Sequence, residues 1–300
     1  MVHDGWRARV NRWIYWPIEA ALLFLIFGLF RLVPIDPASA AGGAIARTIG
    51  PRLRISRRAR KNLRAAFPEK DDAEINRIVR GMWENFGRVF AEYPHLANLD
   101  LYNGDRVEVI GAENIDLLRD DGAPGIFFSA HLGNWEVCSL SAAQRGCEIT
   151  QIYRPVNNRI ADHLLRYARR TATKTMLPKG RQAARGALEL LRGGGHLALL
   201  VDQKMNEGLP IPFFGRDAMT APALAALALK LRCPVIPARC ERLKGARFRM
   251  WLYPPMALPD TGDTQADVVE TMTRVNRIIE GWIRDHPEQW LWLHRRWPDS

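Results

Sequence analysis

The chain has 300 residues, 47% of them hydrophobic, and a formal net charge of +11 at pH 7. Its length is enough to bury a substantial core as one large domain or two smaller ones. None of its four cysteines forms a C-x-x-C pair, which argues against a zinc ribbon. The excess of positive charge indicates a polyanionic partner, which can be nucleic acid, an anionic membrane or an acidic soluble protein.

The first 50 residues are typical of a membrane anchor. Residues 1–16 interleave arginines with aromatic side chains, as segments at a membrane interface do. Residues 17–35 are mostly apolar, and a single membrane span needs about 20 such residues. A signal peptide and a buried amphipathic anchor are the alternatives. We predict an anchor over residues 1–50, followed by a catalytic domain over residues 51–300.

A basic run without any acidic residue follows the predicted anchor. A solvated face explains most such runs, but a basic segment beside an anchor attracts anionic lipid headgroups at about 1 kcal/mol per residue. Nucleic acid is not expected, because no helix-turn-helix, zinc-finger or RNP signature supports it. The positive-inside rule favours a cytoplasmic catalytic domain. The run comprises Arg52, Arg54, Arg57, Arg58, Arg60, Lys61 and Arg64.

Helices and strands are expected to alternate along the rest of the chain. Residues 72–93 have the apolar spacing of an amphipathic helix, which Pro94 ends. The alternation beyond it predicts an α/β fold, with a mixed β-sheet flanked by helices. Strands are expected at 106–110, 125–130, 148–153, near Met176, and at 196–201, 234–240 and 247–253, and helices at 112–120, 134–145, 158–172, 181–192, 220–231 and 264–285.

The main candidate for chemistry lies in residues 124–136. An apolar strand delivers His131 to a loop, and Asn134 can cap the helix that follows. Glu136 lies in the first turn of that helix, so the break between strand and helix lets it converge with the imidazole. An imidazole can take a proton from a hydroxyl, and a nearby carboxylate can fix its tautomer. The helix N–H groups could receive an oxyanion, whereas a histidine that only closes a loop is the simpler alternative.

Three other stretches carry candidate site residues. Asp202 and Gln203 follow an apolar strand, where they can serve a site or cap a turn. Residues 207–218 form a rigid aromatic loop that either lines an apolar acyl pocket or closes the core. The residues from Trp290 to Trp297 combine aromatic and basic side chains without identifying a role. A predicted helix also places on one face a set of arginines whose forks match phosphate, namely Arg166, Arg169 and Arg170.

Taken together, these stretches resemble the late acyltransferases of lipid A biosynthesis over nearly the whole chain. The order and spacing of several motifs make the resemblance specific. The motifs are the N-terminal anchor, His131-Leu-Gly-Asn-Trp-Glu136, Tyr153-Arg154-Pro155, Val201-Asp202-Gln203, Pro212-Phe213-Phe214-Gly215 and Trp292-Leu293-His294-Arg295-Arg296.

The resemblance implies an inner-membrane enzyme that faces the cytoplasm and transfers a fatty acyl group from acyl carrier protein to a hydroxyl of a lipid A precursor. It makes His131 the base that activates the hydroxyl and Glu136 the residue that orients this base. Arg169 and Asp202 match further important positions, with Arg170 as the alternative arginine. The substrate-binding residues implied in the same way are Arg154, Arg170, Gln203, Phe213 and Phe214.

A thioester is already activated, so we expect no metal and no cofactor beyond the acyl donor. We also expect direct attack by the hydroxyl without an acyl-enzyme, because no Ser or Cys lies in a G-x-S-x-G context. Two alternatives stay open: acylation of another lipid, such as a phosphatidylinositol mannoside or a lysophospholipid, and a membrane-tethered protein that only binds polyanions. A metallohydrolase is a third, although His163 and His196 lack H-E-x-x-H spacing.

Overall fold

The computed structural model describes residues 11–297. Trp6, Arg7 and Arg9 of the predicted interface segment lie outside the described residues. Residues 11–297 form a seven-stranded sheet, a separate two-stranded hairpin and the α-helices that flank them. The predicted α/β class with a mixed sheet and flanking helices is confirmed.

The N-terminal apolar segment forms a helix that ends sooner than the hydropathy suggested. Helix α1 covers Trp16–Leu32 and follows a π-helical turn at Asn11–Tyr15. Val33 is extended, with φ −104° and ψ 141°, because the ring of the following Pro34 disfavours helical backbone before it. A second helix, α2, then runs over Ile35–Ile49 and was not predicted as a separate element.

The remaining helices pack around the sheet. The predicted basic run forms the first of them, an amphipathic helix whose inner face is buried against the domain. The helices are α3 (Ser56–Ala66), α4 (Asp72–Glu92), α5 (Glu113–Asp120), α6 (Glu136–Gln144), α7 (Arg159–Arg169), α8 (Arg181–Arg192), α9 (Ala223–Leu231) and α10 (Thr264–Asp285), with 3₁₀ turns at Gly50–Arg52, Tyr93–Asn98 and Pro287–Gln289.

The strands are short and their order differs from the order along the chain. They are β1 (Val107–Ile110), β2 (Gly125–Ser129), β3 (Ile149–Tyr153), β4 (Thr175–Pro178), β5 (His196–Leu200), β6 (Lys204–Phe213), β7 (Arg216–Thr220), β8 (Val235–Arg242) and β9 (Phe248–Leu252). The main sheet has the order β1-β9-β8-β2-β5-β3-β4. Adjacent strands of this sheet run parallel to each other, except for the antiparallel pair β8 and β9.

The central strand β2 is buried on both faces, as its unbroken apolar run requires in a parallel sheet. Its neighbours are β8 and β5. Consequently the loops that follow β2 and β5 meet at one edge of the sheet, where α/β folds commonly place their sites.

The segment predicted as a loop at residues 207–218 is instead the antiparallel hairpin of β6 and β7. Its turn contains Phe214 in a left-handed conformation with φ 53°. The prolines within the segment suggested a loop, but a two-stranded hairpin separate from the main sheet tolerates them because its edges are free of ladder partners.

Helices α2 and α4 pack unusually closely because glycines face each other. A Cβ atom at Gly87 would lie 2.2 Å from the carbonyl oxygen of Gly42 and 2.5 Å from Cβ of Ala46. A Cβ atom at Gly42 would in turn lie 2.5 Å from the carbonyl oxygen of Gly87. Two helices with larger side chains at these positions could not reach this separation.

We therefore expect Gly87→Ala to lower the free energy of unfolding by about 1–3 kcal/mol, as overpacking does. The matched control is Gly281→Ala in α10, where the added Cβ meets nothing within 4 Å. Because alanine favours a helix over glycine, the control should raise stability by roughly 0.5–1 kcal/mol. Denaturant unfolding in detergent measures both, and equal stabilisation by the two substitutions would contradict the packing argument.

Candidate active site

Two neighbouring parallel strands bring an imidazole and a carboxylate together. Ser129 at the end of β2 lies opposite Leu200 at the end of β5. His131 and Asp202 each follow two residues later, and the imidazole Nδ1 lies 2.8 Å from Asp202 Oδ1. The pairing of β2 with β5 therefore builds this contact from residues that are far apart in the sequence.

Asp202 is a buried carboxylate that accepts three hydrogen bonds. Besides the imidazole, the backbone N–H of His131 donates to Oδ2 at 2.8 Å and the indole N–H of Trp290 donates to the same oxygen at 2.7 Å. Burial alone would raise the pKa of this carboxyl, but the His131 side chain and the other donors hold the pKa well below its usual range. The ionised carboxylate fixes the Nδ1–H tautomer, which leaves Nε2 of His131 free to accept a proton.

The free nitrogen of His131 faces Gln203 and a second histidine, His294. The side-chain Nε2 of Gln203 lies 3.3 Å from Nε2 of His131 and 3.4 Å from Nε2 of His294. Burial, together with the nearby His131 ring, lowers the pKa of His294 to about 4, so this imidazole is neutral at neutral pH. When the proton of His131 is on Nδ1, the amide NH₂ of Gln203 donates to Nε2 of His131.

Glu136 lies in a separate buried cluster at the start of α6. Nε of Arg169 donates to Glu136 Oε2 at 2.8 Å, and the hydroxyl of Tyr93 donates to Glu136 Oε1 at 2.6 Å. Burial would raise the pKa of the Glu136 carboxyl, yet Arg169 and Tyr93 lower the pKa below its ordinary value. Burial likewise raises the pKa of the Tyr93 phenol, so the hydroxyl keeps its proton. The cluster joins α6, α7 and the 3₁₀ turn that follows α4.

The predicted contact between Glu136 and His131 is therefore wrong. The ring nitrogens of His131 contact Asp202 and Gln203, and the Glu136 carboxylate contacts Arg169 and Tyr93. The break between strand and helix exists as expected, but the helix directs Glu136 toward α7. Spacing along the chain could not reveal that β5 lies beside β2 and supplies the carboxylate.

The start of α6 also does not offer the free N–H groups expected for an oxyanion. The side-chain Oδ1 of Asn134 accepts from the N–H of Glu136 at 3.2 Å. The backbone carbonyl oxygen of Asn134 accepts from the N–H of Val137 at 3.0 Å. The N–H of Cys138 donates to the carbonyl of Trp135. The prediction that Asn134 is the N-cap is wrong by one residue, since the N-cap is Trp135, which makes no side-chain cap hydrogen bond. The side chain of Asn134 nevertheless occupies the N–H of Glu136.

A buried ion pair and two side-chain amides hold the loop that carries His131. Nη2 of Arg242 donates to Glu92 Oε2 at 2.9 Å, and the side-chain amide of Asn134 donates to the same oxygen at 2.8 Å. The amide of Asn85 donates to the carbonyl of Gly133 at 2.9 Å. These bonds fix the backbone that directly follows His131.

The predicted substrate-binding residues are divided between the core and the surface. Phe213 and Phe214 are buried and pack against tryptophans, with Phe213 stacked on Trp297 at 5.7 Å, as the alternative that they close the core predicts. Arg154 is exposed. The guanidinium of Arg170 lies over the Tyr167 ring, so Arg169 and not Arg170 is the arginine that contacts Glu136.

Three side chains of the site were not singled out from the sequence: Tyr93, Trp290 and His294. The last two belong to the C-terminal aromatic stretch, whose composition was noticed without a role. Asn62 of α3 donates from its amide to the carbonyls of Trp292 and His294, both at 2.9 Å, and so holds this segment against the site. The dense mixture of tryptophan and histidine near the chain end was the available signal.

Titratable side chains elsewhere do not form a metal-binding arrangement within residues 11–297. The thiols of Cys138, Cys147, Cys233 and Cys240 are free, and burial raises the pKa of Cys138 to about 12 and that of Cys147 to about 11. These thiols are consequently poor nucleophiles at neutral pH.

Comparison with known proteins shows similarity over almost the entire chain. The family model for bacterial lipid A biosynthesis acyltransferases matches residues 7–299. The Escherichia coli lipid A biosynthesis lauroyltransferase is 26% identical, over 95% of this chain and 91% of that protein. The Escherichia coli lipid A biosynthesis myristoyltransferase is 25% identical, over 86% of this chain and 79% of its own length. The crystal structure of a 1-acyl-sn-glycerophosphate acyltransferase from Thermotoga maritima gives a TM-score of 0.36 at 14% identity, covering 88% of this chain and 98% of that one.

Because Glu136 and Arg169 form a buried ion pair, we expect a substitution of Glu136 to lower the stability of the protein strongly. Glu136→Gln leaves the guanidinium of Arg169 buried without its counter-charge, and we expect a loss of about 3–5 kcal/mol in the free energy of unfolding. The control is Glu148→Gln, which removes an ion pair with Lys174 on an exposed surface and should cost at most about 1 kcal/mol. Chemical denaturation of both variants tests this, and similar small losses would show that the cluster is not a buried ion pair in solution.

Proposed function

The chain belongs to the bacterial lipid A biosynthesis acyltransferase family, and we propose that it moves a fatty acyl group from acyl carrier protein to a hydroxyl of a lipid A precursor. One observation carries the mechanism: Nδ1 of the His131 imidazole lies 2.8 Å from Oδ1 of the buried Asp202. This is the arrangement of a general base whose tautomer and orientation are fixed.

In the proposed reaction, the acceptor hydroxyl takes the place of the Gln203 amide at Nε2 of His131. Nε2 removes the hydroxyl proton as the oxygen attacks the thioester carbonyl carbon. The carbon–sulfur bond then breaks, and the departing sulfur takes the proton back from Nε2. The new ester and the free thiol balance the reaction without an acyl-enzyme intermediate, and Asp202 stabilises the imidazolium that exists between the two proton transfers.

Glu136 and Arg169 have a positioning role in this proposal. Their ion pair fixes the start of α6, which directly follows the loop that carries His131, against α7. This differs from the expectation that Glu136 acts on the imidazole itself. The buried pair preserves the geometry of the base, since a small displacement of a catalytic group can cost a large part of the rate.

The surface charge agrees with both proposed substrates. A net charge of +11 attracts an acidic carrier protein and an anionic glycolipid alike. The same charge and the exposed apolar face of α1 support attachment to the inner membrane with the catalytic domain on the cytoplasmic side. The donor is proposed to be the thioester of acyl carrier protein.

The first test is His131→Gln, which we expect to reduce acyl transfer by at least about a hundredfold, because the general base is lost. Purified protein is mixed with acyl carrier protein loaded with a fatty acid and a lipid A precursor, and mass spectrometry reports the added acyl group. His163→Gln is the matched control, since His163 is exposed on α7 and should retain normal activity. Unchanged transfer by His131→Gln would rule out the mechanism, and transfer from acyl-coenzyme A alone would rule out the donor.

A second test uses Asp202→Asn and the pH dependence of the rate. In the wild type the Asp202 carboxyl stays ionised throughout the neutral range, because its pKa is lowered. Removing this negative charge disfavours the imidazolium, so the neutral base persists to lower pH and the acid limb of the pH–rate profile should move to lower pH. The rate at the plateau should fall as well, since the tautomer is no longer fixed. An acid limb that stays in place would show that the carboxylate does not act on His131.

A further inference from the structure

The side-chain nitrogen of Gln203 marks a position between two imidazoles. It lies 3.3 Å from Nε2 of His131 and 3.4 Å from Nε2 of His294. The centroids of the two rings are 5.2 Å apart, and the ring planes are inclined at 59°. An atom at this position therefore contacts both imidazoles. The proposed reaction places the acceptor hydroxyl there, so its oxygen meets His294 as well as His131.

The two imidazoles differ at their other nitrogen. Nδ1 of His131 is bonded to Asp202, whereas Nδ1 of His294 has no hydrogen-bond partner in the described part of the chain. The proton of His131 is therefore held on Nδ1, while the neutral ring of His294 is free to carry its proton on Nε2. One ring then presents an acceptor and the other a donor. A hydroxyl group, with one proton and two lone pairs, matches both.

The surroundings of His294 keep its imidazole neutral. Burial, the His131 ring and the positive charges of Arg58 and Arg296 lower the pKa of His294 to about 4, although the negative charge of Asp202 acts in the opposite direction. A base this weak does not take up the proton of the hydroxyl, which leaves that step to His131. A neutral imidazole still donates a hydrogen bond through its N–H group.

The backbone that carries His294 is held at three consecutive carbonyl groups. Asn62 donates from its amide to the carbonyls of Trp292 and His294, both at 2.9 Å. The guanidinium of Arg58 donates to the carbonyl of Leu293 at 3.1 Å. The imidazole of His294 is thus attached to a backbone that is already in place before a substrate arrives, as a preorganised donor requires.

Backbone donors near this position are already in use. The N–H groups of residues 131–133 and 136–138 all donate to acceptors within the protein. The indole N–H of Trp290 donates to Asp202. A donor for the oxygen of the acceptor must therefore come from another side chain, and the imidazole of His294 lies at the required distance.

We propose that His294 is a second catalytic residue, which donates its Nε2–H to the oxygen of the acceptor hydroxyl while the hydroxyl donates its own proton to Nε2 of His131. This assignment rests on the proposed acyl transfer. The two hydrogen bonds leave one lone pair of the oxygen for the thioester carbonyl carbon. As His131 removes the proton, this lone pair forms the new carbon–oxygen bond. The carbon–sulfur bond breaks, the sulfur takes that proton, and His294 keeps its own proton throughout.

The donor is tested by replacing His294 with each of the two amides. The side-chain nitrogen of glutamine lies as many bonds from Cβ as Nε2 of histidine does, and that of asparagine as many as Nδ1 does. His294→Gln therefore keeps a donor near the acceptor oxygen, and His294→Asn loses it. With acyl carrier protein loaded with a fatty acid and a lipid A precursor as substrates, we expect kcat/KM for the precursor to be about tenfold to a hundredfold lower in His294→Asn than in His294→Gln. KM for the acyl donor should be the same in both variants.

Equal kcat/KM values for the two amide variants would overturn the role of His294. The variant His131→Gln, measured in the same mixture, reports on acyl transfer itself. A rate that is lost in His131→Gln but equal in the two amide variants would therefore overturn only the role of His294 and leave the reaction in place. Thermal unfolding in detergent checks that both amide variants are folded.

Chemical rescue separates a donor from a ring that only fills space. His294→Ala opens the position of the ring, which added imidazole can occupy. Imidazole carries an N–H group, whereas neutral N-methylimidazole, which has a similar shape, has none. We expect imidazole to restore the rate of acyl transfer at least about tenfold more than N-methylimidazole does. Equal rates with the two additives would overturn the donor role, because a space-filling ring needs no N–H group.

Discussion

The site depends on one buried negative charge. Asp202 is ionised inside the protein, and a carboxylate removed from water must be compensated by donors. Its three donors come from the loop after β2 and from the C-terminal segment, through Trp290. The need to satisfy this charge therefore fixes the imidazole of His131, the end of β5 and the last residues of the chain relative to one another.

Two further buried ion pairs hold the surroundings of this charge. Glu92 and Arg242 lie beneath the loop of His131, and Glu136 and Arg169 lie at the start of the next helix. Each pair joins elements that are distant in the sequence, and each would leave a strongly disfavoured single charge if the elements separated. The segment that follows His131 is in this way held by electrostatic contacts with distant elements.

Local patterns predicted the elements well and the contacts between them less well. The strand before His131 and the helix over 264–285 follow directly from apolar periodicity, and the position of Asp202 at a strand end suggested a site. The partner of His131 depended on strand order, which no local pattern encodes, so Glu136 was chosen because it is near in sequence. The helix break at Pro34 was readable from the proline rule, but the hydropathy of the preceding run obscured it.

The C-terminal segment completes the site with side chains from the last eleven residues of the chain. Trp290 bonds to Asp202, and Arg296 is fully buried, where it donates to Thr220 Oγ1 at 2.9 Å and to Asn276 Oδ1 at 3.1 Å. During translation α1 leaves the ribosome well before these residues do. The nascent chain can thus reach the lipid surface while Asp202 still lacks its bond from Trp290, so the donors around this carboxylate are complete only once that segment has folded back onto the domain.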